Sequence, residues 1–225
     1  MNPRIKICCI ASVDEARLAI RHGASALGLV SAMPSGPGPI AEALIAEIAA
    51  QIPPPIATFL LTSLQEPDAV IEQQRRCGCN TLQLVDAFPI NAYAKLHRAL
   101  PGVRIVQVIH VTGPESITEA QSLAPHVDAL LLDSGNPTLA VKELGGTGRT
   151  HNWEFSRQIV ASVGRPVFLA GGLRAENVAA AIRAVRPFGI DVCSGVRTDG
   201  KLDAVRVAAF VRAVDAVEKS EIERG

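Results

Sequence analysis

The sequence predicts a closed (β/α)8 TIM barrel, and three observations carry that expectation. Short apolar, β-branched runs alternate with helical stretches eight times along 225 residues, and such alternation specifies a parallel sheet covered by helices. Eight units of ~25–30 residues fill one domain at the small end of the barrel class. The segment after the first run, Cys8-Cys9-Ile10-Ala11-Ser12, lacks the glycine spacing that an open dinucleotide-binding sheet places there.

The first unit is a strand over 5–10 and a helix over 13–21, capped by Ser12 and stopped by Gly23. A strand over 26–30 leads through a Pro/Gly-rich loop, 32–39, to a helix over 40–51 that Pro53-Pro54-Pro55 ends. The third and fourth units pair strands over 56–61 and 81–84 with helices over 66–77 and 89–99. The fifth strand, 103–108, precedes a helix over 114–124 with Pro114 at its first position. The sixth, 127–133, runs into a long Gly-rich loop, 134–150, before a helix over 153–162. Strands over 166–170 and 190–193, with helices over 175–184 and 203–217, complete the set. The barrel thus spans 1–218, and 219–225 form a polar tail expected to fray.

Lys plus Arg and Asp plus Glu both number 22, so the chain is neutral and has no electrostatic footprint for nucleic acid or an anionic membrane. Aromatic residues, at 4%, are too few for base-stacking platforms. No apolar run reaches the ~18 residues of a membrane span, and Met1-Asn2-Pro3-Arg4 does not open like a signal peptide. The expected compartment is the cytoplasm, where the five cysteines stay reduced. Cys77-Gly78-Cys79 has no second pair at zinc spacing, so a helix-end turn is expected there and no metal.

Barrel strands alternate between the interior and the helix layer. Ile5, Ile7 and Cys9 take the helix side of the first strand, which turns Lys6 and Cys8 inward. Ile190 and Val192 do the same on the last, turning Asp191 and Cys193 inward. These two strands meet where the barrel closes, and a buried ammonium needs a partner; Lys6 is therefore expected to pair with Asp191. By the same alternation Gln83 and Asp133 point inward. Cys8, Gln83 and Asp133 then gather at the C-terminal mouth, where sites in this fold lie. Gly171-Gly172 and Ser194-Gly195 follow strands seven and eight, where converging backbone N–H groups favour a phosphate. Gly145-Gly146-Thr147-Gly148 suits a flexible lid. His110, His126, Arg174 and Arg197 are expected at the surface, and Trp153 as a packing anchor.

At these residues the chain resembles the phosphoribosylanthranilate isomerase family of tryptophan biosynthesis. The resemblance rests on Lys6-Ile7-Cys8, the run 24–30, Gln83, Leu131-Leu132-Asp133, Gly145-Gly146-Thr147-Gly148-Arg149-Thr150 with Trp153, Leu169-Ala170-Gly171-Gly172-Leu173 with Glu176-Asn177-Val178, Val185-Arg186-Pro187, and Asp191-Val192 with Ser194-Gly195-Val196. It implies an Amadori rearrangement of an N-linked phosphoribosyl amine to an aminodeoxyketose, without a cofactor. It further implies Cys8 as base and Asp133 as acid, Lys6, Gln83, Gly146, Gly148 and Asp191 around the substrate, and Gly171, Gly172, Ser194 and Gly195 around its phosphate. Such chemistry asks for a thiolate at Cys8, with Lys6 the candidate charge beside it, and for a carboxyl at Asp133 raised by burial.

Three departures keep other readings open. The loop 33–39 has no cation, although the family carries an Arg there for the anthranilate carboxylate. Gln83 is followed by Leu84, Val85 and Asp86 in place of Leu, His and Gly, and an Asp86 lining the mouth would repel a carboxylate. Cys9 stands where the family has Gly. The alternatives are the same chemistry on a phosphosugar lacking a carboxylate, and a non-catalytic barrel that binds a sugar phosphate. The partner expected in each case is a phosphorylated aminopentose or a similar ligand, with the chain a monomer or a homodimer.

Overall fold

Eight parallel strands close on themselves in chain order in the computed structural model, which describes residues 3–136, 138–139, 142–146 and 148–222. They are β1 (Arg4–Ile7), β2 (Ala26–Val30), β3 (Ala57–Thr62), β4 (Thr81–Leu84), β5 (Arg104–His110), β6 (Ala129–Asp133), β7 (Val167–Leu169) and β8 (Gly189–Val192). The helices around them are α1 (Val13–Arg21), α2 (Glu42–Ala50), α3 (Pro67–Cys77), α4 (Tyr93–Ala99), α5 (Glu115–Leu123), α6 (Trp153–Ser162), α7 (Val178–Val185) and α8 (Ala204–Ile222). A small antiparallel hairpin, β9 (Arg197–Thr198) with β10 (Lys201–Leu202), lies between β8 and α8. Among the described residues, no helix is long and apolar enough to cross a membrane.

Strand alternation sorts the core into two layers. Ile5, Ile7, Leu82, Leu84, Leu130, Leu132 and Ile190 pack outward against the helices. Phe59, Leu61, Val106, Val108, Leu131 and Phe168 fill the barrel itself. At the seam β1 pairs with β8 so that Lys6 stands opposite Asp191. The Ser12 side chain caps α1 by accepting from the Glu15 amide, 3.1 Å away.

Several boundaries moved, α4 among them, which begins at Tyr93 and not at 89. β1 stops at Ile7, so Cys8 and Cys9 leave the strand, while β5 runs on to His110. α7 begins at Val178 after a turn, three residues later than the pattern suggested, because Asn177 folds back to cap that turn: its Oδ1 accepts from the Arg174 amide at 2.8 Å. α8 extends to Ile222, past the boundary at 218 that its polar composition suggested. Residues 1–2, Thr147 and the last three of the expected tail, 223–225, lie outside the described residues.

Candidate active site

The centre of the barrel holds an ion pair. Lys6 is wholly buried, and its ammonium lies 2.9 Å from Asp191 Oδ1 and 5.1 Å from the centroid of the Phe59 ring. Burial alone would strip its proton; the charge of Asp191, with the thiols of Cys8 and Cys9, reverses that and holds Lys6 above its ordinary value. A methyl group built on Gly28 would stand 2.7 Å from Cys8 Sγ and 3.1 Å from Lys6 Nζ, so thiol and ammonium share the space over Gly28.

Above this pair a cleft opens at the C-terminal end. Cys8, Gln83, Asp133 and Asp191 line it, together with Gly146, Gly148, Gly171, Gly172 and Ser194. Lys6 lies beneath the floor and meets the cleft through Asp191. Gly195 lines an adjoining hollow with Gly148, Gly172, Ser194 and Arg206. The structure thus brings Cys8 and Asp133, 125 positions apart, to the walls of one cavity. Burial pushes the Asp133 carboxyl up against the opposing pull of the Ser134 amide, which donates to its Oδ1 at 2.7 Å, and of His110.

Two glycines are required by what they touch. Gly145, at φ +126°, lies over Asp133, and a side chain there would come within 2.5 Å of Oδ2. Gly172, at φ +59°, packs on the Arg149 backbone, where a Cβ would stand 2.6 Å from the carbonyl carbon. The loops after β6 and β7 therefore approach each other backbone to backbone at the hollow.

Several residues fall where the sequence did not put them. Cys9, expected on the helix side, adopts φ +62°, and this left-handed turn swings its thiol into the mouth. There it accepts from Cys193 Sγ and donates to the Pro37 carbonyl at 3.5 Å. Arg197, expected in solvent, is half-buried: it binds the Glu15 carboxylate at 3.1 Å and donates to the Cys8 carbonyl at 3.3 Å and to that of Cys9. Burial would raise Glu15, but Arg197 and the amides of Leu202 and Ala11 hold it below its ordinary value. His110, also expected at the surface, is only 7% exposed and stands beside Asp133 in register. Its Nε2 donates to the Val85 carbonyl at 2.9 Å, and its Nδ1 has no hydrogen-bond partner among the described residues. Only the extra length of β5 carries the imidazole inward.

Asp86 is buried but not a bare negative charge. Lys142, from the loop after β6, reaches it at 2.5 Å, and the Ser35 hydroxyl in the loop after β2 donates to the Lys142 carbonyl. Nothing in the sequence ties Lys142 to Asp86, 56 positions earlier. Of the remaining candidates, Arg174 stays exposed beside Glu176, and Trp153 packs on the core. Cys77 and Cys79 are buried, their thiols pushed up to about 11 and about 12, in both cases chiefly by burial.

A thiol and a raised carboxyl in one cleft, beside a glycine-lined hollow, define an acid–base enzyme of the (β/α)8-barrel class. The family model described as N-(5'phosphoribosyl)anthranilate (PRA) isomerase matches residues 5–213. Over 210 residues the chain is 36% identical to N-(5'-phosphoribosyl)anthranilate isomerase 2 of Methanosarcina mazei, covering 92% of each chain. The crystal structure of phosphoribosyl anthranilate isomerase from Thermotoga maritima superposes with a TM-score of 0.82 at 27% identity, over 95% of this chain and 99% of that one. A phosphoribosyl anthranilate isomerase solved in complex with reduced 1-(o-carboxyphenylamino)-1-deoxyribulose 5-phosphate superposes with a TM-score of 0.79 at 25% identity and the same coverage. The chain belongs to the phosphoribosylanthranilate isomerase family.

Proposed function

We propose that the chain converts N-(5'-phosphoribosyl)anthranilate into 1-(o-carboxyphenylamino)-1-deoxyribulose 5-phosphate, a step of tryptophan biosynthesis, in the cytoplasm. The observation that carries this reading is the meeting of Cys8 and Asp133 in one cleft, with burial raising the Asp133 carboxyl, the direction a general acid needs. Asp133 protonates the furanose ring oxygen, the C1–O bond breaks, and the nitrogen lone pair forms the C1=N bond of an iminium. Cys8 then takes the proton from C2, and the released electron pair moves to give an enolamine that settles as the ketone. Asp191, fixed by Lys6, and Gln83 orient the sugar. Gly146 and Gly148 cover it, and Gly171, Gly172, Ser194 and Gly195 receive the phosphate.

The cation-free loop 33–39 favours a substrate without a carboxylate. Lys142 removes the separate objection that Asp86 would repel a carboxylate, since it neutralises that charge, and its backbone is tied to Ser35 of the same loop. The test is continuous: turnover removes the fluorescence of the phosphoribosylanthranilate adduct. A fall in signal proportional to enzyme supports the assignment. A flat trace at high enzyme rejects this substrate, and turnover of carboxylate-free phosphoribosyl amines in its place establishes the other one.

A further inference from the structure

Cys9 and Cys193 form a pair that the isomerisation does not use. Their sulfurs are in direct contact, and both cysteines are free thiols, so an S–S bond between them requires no large movement of either side chain. They lie on either side of the seam where the first and last strands meet, 184 positions apart in the chain. Both line the cleft, so a small oxidant entering the mouth meets them. The left-handed backbone at Cys9 is what aims its thiol at Cys193, since an extended residue there would face the helices.

We propose that Cys9 and Cys193 are an oxidative modification site, forming a reversible disulfide clasp across the barrel seam with a hydroperoxide as oxidant. Cys193 is the more exposed of the two. Its thiol is drawn below the usual range first by the hydrogen bond with Cys9 and then by the charge of Arg197, whereas Cys9 is held protonated. The Cys193 thiolate attacks one peroxide oxygen; an S–O bond forms as the O–O bond breaks, and the departing hydroxide leaves as water with the thiol proton. The Cys9 sulfur then attacks the sulfenic sulfur, forming the S–S bond as the S–O bond breaks, and the second hydroxyl leaves as water with the Cys9 proton. Two thiols and one hydrogen peroxide become one disulfide and two waters; each sulfur loses one electron and each peroxide oxygen gains one. The clasp also deprives the Pro37 carbonyl of the Cys9 donor, which loosens one tie between the seam and the loop after β2.

A disulfide closing so long a loop confines the unfolded chain strongly. The test treats the full-length protein with hydrogen peroxide, maps its peptides by mass spectrometry and records thermal unfolding before and after dithiothreitol. The expected result is a Cys9–Cys193 cross-linked peptide and a melting temperature raised by about 10 °C, both reversed by dithiothreitol and both absent in Cys193→Ala and Cys9→Gly. Sulfinic acid at either residue with no cross-link, a cross-link that uses Cys8, or a cross-link without a rise in melting temperature overturns the proposal. The wild-type peptide map decides the question even where a variant does not fold.

Discussion

At the N-terminal end of the barrel, Phe59, Phe168 and Phe188 stack edge to face, with centroids 5.8 and 5.4 Å apart. The ion pair of Arg104 and Asp128 lies at the rim of the hollow there, which Arg4 also lines. The C-terminal end, built on the same eight strands, carries instead a thiol, a carboxyl that burial holds above its ordinary value, a left-handed cysteine and glycines whose neighbours leave no room for a side chain. The lower end gains from contact between rings. The upper end retains groups that would lower the free energy by being elsewhere. The difference teaches that one sheet supports both purposes because its strand ends at the upper rim carry Gln83, Asp133 and Asp191, and the loops that follow add the thiols and glycines around them.

The largest effect expected from breaking the upper end is on turnover. Asp133→Asn should lower it by ~10²-fold or more, read in the fluorescence assay; an unchanged rate would remove Asp133 from the mechanism. The same variant sharpens the contrast in stability. Because the folded protein holds the Asp133 proton more tightly than the unfolded chain does, that contribution is complete at acid pH and is lost as pH rises through the folded carboxyl value. Asn keeps no charge, so D133N should match or exceed wild type in urea at pH 8, and a large destabilisation there would contradict the sign.

Next in size is the ion pair that joins the two ends. Lys6→Ala leaves Asp191 buried without its partner and should cost about 3–5 kcal/mol in chemical denaturation; a loss below about 1 kcal/mol would mean that Asp191 finds water or another donor. A smaller effect is expected at the rim. Lys142→Ala leaves the Asp86 charge unpaired next to the loop of Ser35, which lines the cleft, and should raise KM by roughly tenfold with kcat nearly unchanged. Equal KM for the variant would separate Lys142 from substrate. Smallest is Phe188→Ala at the lower end. Phe188 is 46% exposed, so the change should cost about 1 kcal/mol of stability and leave kcat/KM alone. A drop in activity would show that the two ends are coupled.

The parts that strand periodicity governs were legible in the sequence. Lys6, Gln83, Asp133 and Asp191 face inward because a period of two admits no other placement once the leucines and isoleucines take the helix side. The seam pair follows because closure makes the first and last strands neighbours. Cys9 was not legible: its direction is set by one backbone angle just past the strand, where alternation no longer applies. Arg197 and Lys142 were not legible either. Each finds its partner through a loop conformation, at sequence separations of 182 and 56, and no spacing rule connects a charge to a partner that far along the chain. The glycines around the hollow lay between these cases: their positions were readable, but that Gly172 rests on the Arg149 backbone depended on how two loops meet.

The guanidinium that braces the Cys8 and Cys9 carbonyls belongs to the last fifth of the chain, and it is anchored to Glu15 in the first helix. During synthesis the thiol emerges at the start, while its brace follows at ~5–20 residues per second, a delay of some tens of seconds. A ribosome-bound chain therefore carries the nucleophile long before anything aims it, and the mouth is the final part of the barrel to take shape. Premature termination between Leu169 and Arg197 yields a polypeptide with seven or eight strand segments and no finished entrance.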